Sequence, residues 1–164
     1  MLTTKINKKS ISRIAAIQTT YQFEQNMQTT DITILLVKIK EFYKDTNIES
    51  DYEISKSSKI KLSLSYHYLN KLVRSTHKNL KSIDQNIEMY LTNQWNLIIL
   101  PKLLIASLRV ALCELEYFPN TPSKVIINEY TDIANNMLDS KEVGFVNSVL
   151  DKYASKCRGL CIHH

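Results

Sequence analysis

The sequence PKLLIASLRVALCELEYF at residues 101–118 decides the fold class, because it carries the most apolar part of the chain with a helical period. Its apolar residues recur every three or four positions, at Leu104, Leu108, Ala111, Leu112 and Leu115, which predicts a buried helix. Pro101 suits the first turn of this helix, and the run Phe118-Pro119-Asn120 ends it. Lysine and arginine interrupt the apolar stretch, so we do not expect it to span a membrane.

The same apolar spacing on both sides of this stretch predicts six more helices, so we expect an all-α domain with about seven helices. Residues 47–58 are polar and predict a loop. The other predicted helices run from Ser10 or Ser12 to about Gln25, from a cap at Asp31 through Tyr43, from Ile60 through Val73, from Leu80 through Leu91, from a cap at Thr121 through Met137, and from a capping box of Asp139 and Glu142 through Tyr153.

Glycine is scarce, and its positions exclude several enzyme classes. The chain of 164 residues has only 2 glycines, at Gly144 and Gly159. Neither the G-x-G-x-x-G fingerprint of dinucleotide-binding folds nor the P-loop of nucleotide hydrolases can therefore be present. Hairpin-rich β folds are also disfavoured, because their tight turns depend on glycine.

The net charge of +5 is unevenly distributed along the chain. Residues 1–23 carry three lysines and one arginine without any acid, and residues 54–83 carry seven basic residues without any acid. Residues 24–53 carry a net charge of −4. Acid-free basic segments are typical of surfaces that bind a phosphate backbone, although lysines also serve simply to keep helix faces soluble.

No catalytic constellation is apparent, so we expect neither an enzyme nor a cofactor. Glu114 and Glu116 are two residues apart and point to different faces of a helix, so they cannot share a proton. Two cysteines and two histidines near the end of the sequence could bind zinc, at Cys157, Cys161, His163 and His164. A chain terminus is a poor preorganised site, so we predict no metal.

Phe145 follows Gly144 near the start of the seventh predicted helix. An aromatic ring beside a helix amino terminus, whose free N–H groups favour phosphate, is a common way to hold single-stranded bases. We expect the missing side chain of Gly144 to leave space for such a base. Most aromatic residues at helical spacing are core residues, so a purely structural Phe145 is the competing interpretation.

Four segments of the chain resemble the NusB family of transcription antitermination factors. They are RIAAIQTTY at residues 13–21, LRVALCEL at 108–115, PSKVIINE at 122–129 and FVNSVLDK at 145–152. The resemblance implies an all-α domain over residues 1–164, built as two sub-bundles at 1–91 and 97–157 with a tail at 158–164. It also implies a cytoplasmic bacterial protein that binds single-stranded boxA RNA of ribosomal RNA leaders together with the ribosomal protein NusE, within an RNA polymerase antitermination complex.

The resemblance also assigns candidate residues. The basic amino-terminal segment with Lys8, Lys9 and Arg13 is expected to contact RNA phosphates, as are Phe145 and the nearby Lys141 at the start of the last helix. Lys5 and Lys78 of the two basic segments are further RNA candidates. The NusE surface of the family uses the first and fifth helices, which points to Tyr21, Leu103 and Leu104.

Two other functions stay open at this point. One is a helical protein–protein adaptor without RNA affinity, whose basic segments meet acidic partners. The other follows from the occurrence of NusB-like domains at the amino terminus of certain RNA methyltransferases. The sequence has no glycine-rich nucleotide loop, so the catalytic half of such an enzyme is not expected here.

Overall fold

The structure, a computed structural model, describes residues 7–27, 29–45, 47–49, 59–61, 63–92 and 96–159. Within these ranges the chain forms seven α-helices and one short antiparallel pair of strands. The elements are α1 (Lys8–Gln25), α2 (Ile32–Asp45), β1 (Asn47–Glu49), β2 (Lys59–Lys61), α3 (Tyr66–Lys78), α4 (Leu80–Glu88), α5 (Lys102–Tyr117), α6 (Ser123–Met137) and α7 (Ser140–Arg158). The predicted all-α class with about seven helices is confirmed.

Helix α5 forms the centre of the molecule, as its apolar sequence predicts. Every residue from Leu104 to Leu115 is buried. The helix packs against α1, α3, α4, α6 and α7. It therefore contacts helices of both predicted sub-bundles, and the division at residues 91 and 97 stays a prediction.

Side-chain contacts define the directions of the helices beside α5, and they allow two levels along α5 to be named. Helix α1 is antiparallel to α5, because Arg13 contacts Glu114 while Glu24 contacts Arg109. Helix α7 is parallel to α5, because Phe145 and Leu104 line the same cavity and Arg158 donates to the carbonyl of Leu115. We call these two levels the Leu104 end and the Glu114 end. About 15 Å of helix separates them, at 1.5 Å per residue.

Helix α3 is parallel to α1 and lies beside it from the level of Ser12 to the level of Phe23. Ser12 and Ser65 exchange hydrogen bonds at the Glu114 end, with Ser65 N–H donating to Ser12 Oγ at 2.9 Å. Phe23 and His77 pack edge to face at the Leu104 end, with ring centroids 4.7 Å apart. Ser65 also caps α3, because its hydroxyl accepts from the N–H of Tyr68.

Three predicted boundaries are wrong, and the first is the start of α1, which is capped by Asn7 and not by Ser10 or Ser12. The segment predicted as a loop at 47–58 begins with strand β1, which pairs with β2 so that Ile48 faces Ile60. The third helix was therefore predicted to begin too early, since Ile60 is in β2. Residues 50–58 lie outside the described part of the chain.

Two proline positions are displaced by one residue from their predicted places. Pro101 and Pro122 occupy the N-cap rather than the first helical position, with extended ψ angles of 133° and 138°. Because proline is the cap of α6, Thr121 does not cap it through its side chain. The predicted caps at Asp31 and Asp139 are confirmed, because their carboxylates accept from the N–H groups of Thr33 and Glu142.

Candidate nucleic-acid interface

The first turn of α1 presents Lys8 and Lys9 to solvent at the Glu114 end. Asn7 caps the helix by accepting from the N–H of Lys9 at 2.9 Å, and no acidic residue lies in the first turn. The Lys9 ammonium lies 5.2 Å from the ring centroid of Tyr68. Cations at a helix amino terminus oppose the helix dipole and cost about 0.3–1 kcal/mol each. The helix dipole therefore does not favour these two lysines.

Arg13 was predicted to contact RNA phosphates, and the structure corrects this prediction. Its side chain is only 2% exposed. Its guanidinium binds the Glu114 carboxylate through two nitrogens, with Nη2 at 2.7 Å and Nε at 3.0 Å, and Nη1 lies 3.3 Å from Glu129. Burial opposes the charge of Arg13, but bonding to Glu114 outweighs it, so its pKa is raised above the ordinary value. Arg13 binds an internal carboxylate and does not reach the surface.

Glu114 is the centre of a buried polar cluster that the sequence analysis did not identify. Besides Arg13, it accepts hydrogen bonds from the hydroxyls of Tyr130, at 2.6 Å, and of Tyr68. Burial and the neighbouring Glu114 raise the pKa of both tyrosines well above the ordinary value. The signal in the sequence was an acid inside the most apolar helix, which requires a partner when buried. The predicted separation of Glu114 and Glu116 is confirmed, because Glu116 is exposed and accepts from Tyr153.

The amino terminus of α7 lies at the Leu104 end and carries Lys141 and Phe145. Lys141 is exposed and Phe145 is half-buried. Both line an open cavity of about 380 Å³ together with Tyr90, Leu91 and Leu104. The volume is in the range of small-ligand pockets, and the walls are mostly apolar. An aromatic edge beside one lysine is thus available to a planar group.

The phosphate-binding property predicted for this helix terminus needs correction. Asp139 accepts from the N–H of Glu142 at 2.9 Å, and the Glu142 carboxylate accepts from the N–H of Asp139 at 3.0 Å. This capping box uses two backbone donors and places two carboxylates where an anion would bind. Lys141 is the cation of this first turn, and the half-buried Phe145 follows in the next turn. Gly144 is exposed, and a Cβ there would have no atom within 4 Å, so a missing side chain is not needed to open space in the free protein.

The predicted RNA residues do not form one compact site. Lys8 and Lys9 lie at the Glu114 end, and Lys141 and Phe145 lie at the Leu104 end. Lys78 is exposed at the last residue of α3, next to His77 at the Leu104 end. Lys5 lies outside the described residues.

The predicted partner residues differ in exposure. Tyr21 is 37% exposed on α1, and Leu103 is half-buried on α5. Leu104 is only 2% exposed and belongs to the core, so its assignment to a partner surface is corrected. Its position in the helix places it on the face that packs inward.

Arg109 of α5 joins this helix to α1 and α4 through ion pairs, and this role was not predicted from the sequence. Its Nε lies 2.7 Å from Asp84 of α4, and its Nη1 lies 3.3 Å from Glu24 of α1. Like Glu114, it is a charged residue within an apolar helix, and that pattern was the available signal.

No group of three or more potential metal ligands occurs in the part of the chain that the structure describes. Cys157 is half-buried on α7, while Cys161, His163 and His164 lie outside the described residues. In the same described ranges, no helix has both the length and the apolar character that crossing a bilayer requires.

Comparisons with known proteins agree on one family. The profile of the NusB family matches residues 10–155. The chain is 46% identical to the transcription antitermination protein NusB of Rickettsia massiliae over 157 residues, which cover 95% of this chain and 97% of that protein. It is also 46% identical to the protein of that name from Rickettsia bellii, with 94% of each chain covered.

Solved structures show the same fold. A structure of NusB from T. maritima matches with a TM-score of 0.69 and 26% identity, covering 90% of each chain. A crystal structure of antitermination factors NusB and NusE in complex with dsRNA contains a chain that matches with a TM-score of 0.69. The match covers 90% of this chain and 96% of that one, at 20% identity, so it supports the fold alone.

Proposed function

The chain belongs to the NusB family, and from that premise we propose that it is a transcription antitermination factor. It binds the single-stranded boxA RNA of ribosomal RNA leader transcripts together with NusE. It acts in the cytoplasm, within an RNA polymerase antitermination complex, and it performs no catalysis. The name shared by its Rickettsia relatives and the extent of the match support this proposal.

The observation that carries the RNA-binding part is the first turn of α1. Lys8 and Lys9 are exposed and have no acidic residue in the same turn. They oppose the dipole of their own helix, so binding a phosphate converts an unfavourable local arrangement into a favourable one. These contacts supply affinity without reading sequence.

We assign base recognition to the Leu104 end. Phe145 offers part of its ring for stacking, and Lys141 beside it neutralises a neighbouring phosphate. Lys78 adds a positive charge at the same level of the molecule. NusE binds along α1 and α5, where Tyr21 and Leu103 provide partly exposed apolar contacts.

The test is binding of labelled boxA RNA to the purified chain, alone and with NusE, at several salt concentrations. We expect the affinity to fall as salt rises, and NusE to strengthen binding. The Lys8→Ala, Lys9→Ala double variant should reduce the slope of log K against log salt by about 1.4, since each single-strand phosphate contact contributes about 0.7. Absence of any RNA complex at low salt with NusE present would overturn the proposal.

A protein–protein adaptor without RNA affinity is the second candidate. The observation that favours it is the capping box, because Asp139 and Glu142 bring two carboxylates next to the proposed base-binding ring. The same experiment separates the two functions. Retention of NusE by the chain, with no RNA bound under any condition, would establish the adaptor.

A further inference from the structure

The outer face of α3 carries Lys71, Arg74 and Lys78, and all three are exposed. At 3.6 residues per turn their directions fall within about 60° of one another, so they form one stripe along the helix. Residues 63–83 contain no acidic residue. A soluble helix face normally mixes both signs of charge, so a stripe of one sign requires an explanation.

The stripe is not neutralised from within the described part of the chain, where none of its three cations forms an ion pair with a carboxylate. Arg74 donates to two neutral oxygens, those of Asn70 at 2.6 Å and Thr33 at 3.1 Å. The nearby Asp31 is already used as a cap: hydrogen bonding from Thr33 lowers its pKa, and the charge of Arg74 adds to that effect. By contrast, the buried Arg13 and Arg109 are fully paired with carboxylates.

The stripe is continuous with the lysines of α1. Lys9 lies over the ring of Tyr68, Tyr68 packs edge to face with Phe118 at 5.5 Å, and the Lys71 ammonium lies 4.7 Å from the centroid of Phe118. From Lys71 the stripe follows α3 for about 10 Å to Lys78. Because α3 lies beside α1 from the level of Ser12 to the level of Phe23, the stripe leads from the Glu114 end to the Leu104 end.

We propose that this face of α3, the α3 stripe, is a third RNA-binding surface that holds the phosphates of the strand between the two ends of the molecule. The inference rests on the proposed function, and it adds Lys71 and Arg74 to the RNA-binding residues. Its contacts are to phosphate, so they act on any sequence and strengthen the affinity. Long flexible side chains without internal carboxylate partners suit a mobile single strand.

The test compares two variants with the same loss of charge. The stripe variant carries Lys71→Gln, Arg74→Gln and Lys78→Gln. The control variant carries Lys38→Gln, Lys124→Gln and Lys152→Gln, which are exposed residues of α2, α6 and α7. Binding of a boxA-containing single-stranded RNA is measured by fluorescence anisotropy from about 50 to 200 mM salt, with and without NusE. Circular dichroism and thermal melting check the fold, and a Lys71→Gln, Lys78→Gln double variant preserves the hydrogen bonds of Arg74.

We expect the stripe variant to reduce the salt slope by about 2, which corresponds to three single-strand phosphate contacts, and to bind at least about tenfold more weakly at moderate salt. The double variant should show about two-thirds of that reduction in the salt slope. Equal salt slopes in the stripe and control variants, or a reduction of only about 0.7 that Lys78 alone explains, would overturn the inference, while RNA binding by the wild-type chain would leave the proposed function intact. If the stripe variant binds RNA like the wild type but no longer binds NusE, the inference is also overturned and the stripe is assigned to a protein partner. If the wild-type chain binds no RNA, the proposed function fails and the inference falls with it.

Discussion

The ion pair of Arg13 and Glu114 joins α1 to the central helix through a fully buried contact. The guanidinium and carboxylate meet through two nitrogens, and two tyrosine hydroxyls complete the carboxylate shell. Such an arrangement satisfies every polar atom, but it makes each member necessary, because removing one leaves a buried charge without compensation. Arg13 is therefore expected to determine stability rather than RNA affinity.

Replacing Arg13 by glutamine should lower the free energy of unfolding by about 3–5 kcal/mol, because Glu114 would remain buried without its cation. Urea unfolding at neutral pH measures this loss. Lys9→Gln removes the same charge from an exposed position and should change stability by less than about 0.5 kcal/mol. If both variants unfold at the same urea concentration, the buried pair does not stabilise the fold.

The tyrosines around Glu114 give the fold a dependence on alkaline pH. Burial and the charge of Glu114 raise the pKa of Tyr130 well above its ordinary value of 10. The unfolded chain loses this proton first as the pH rises, so the stabilisation is complete below pH 10 and is lost above it, by about 1.4 kcal/mol per pH unit for one tyrosine. Urea unfolding between about pH 9 and pH 11 should therefore show a shallower loss of stability in Tyr130→Phe than in the wild type. Identical pH slopes would contradict this assignment.

At the residue scale, exposed charges were easier to predict than buried ones. Lys8 and Lys9 lie in a segment without acids and were assigned to RNA by the family resemblance, and the structure places them at the surface. Arg13 belongs to the same segment, but its direction is set by Glu114, which is 101 residues away in sequence. Neither the charge pattern nor the family resemblance carries information about such distant pairing, so Arg13 was assigned the same role as its neighbours.

At the scale of elements, Gly144 is a weak point of α7. It lies in the second turn of the helix, and a Cβ there would meet no atom within 4 Å. Gly144→Ala should stabilise the protein by about 0.5–1 kcal/mol through lower chain entropy, which raises Tm by roughly 1–4 °C. Gly159→Ala is the control, because Gly159 is the C-cap and lies outside the helix interior. A lower Tm for Gly144→Ala would contradict the open surroundings of this residue.

The same Gly144→Ala variant tests the idea that the glycine leaves space for a base. If it does, boxA RNA should bind less tightly to the variant even though its Tm rises. If RNA affinity is unchanged, the glycine has no part in binding and Phe145 stacks without it.

The helix ends that could be predicted are those determined by residues close together in the sequence. The Asp139–Glu142 capping box, the cap at Asp31 and the end at Phe118 follow from a few adjacent residues, and all agree with the structure. The strands β1 and β2 were missed because each is three residues long, and their pairing joins positions about twelve residues apart. Only the contact between them distinguishes this segment from a loop.

At the scale of the whole molecule, the length of α5 sets the distance between the two parts of the proposed RNA site. Leu104 lies at the level of Phe145 and Lys141, and Glu114 lies at the level of Arg13, ten residues further along α5. Lys9 is one helical turn beyond Arg13 in α1, so the two parts are about 20 Å apart along the axis. The sequence could suggest both parts, but their separation depends on the directions of α1 and α7 against α5.

This separation predicts a minimum RNA length. A strand with the roughly 3.4 Å spacing of stacked nucleotides needs about six nucleotides to reach from Lys9 to Phe145. We therefore expect boxA fragments below about six nucleotides to bind weakly and to respond to either Lys8→Ala, Lys9→Ala or Phe145→Ala, but not to both. Fragments of about ten nucleotides or more should bind much more tightly and lose affinity with either change, because the second contact becomes intramolecular. A length series measured by anisotropy at fixed salt provides the test. A smooth increase in affinity with no step near six nucleotides would mean that the two ends do not bind one strand together.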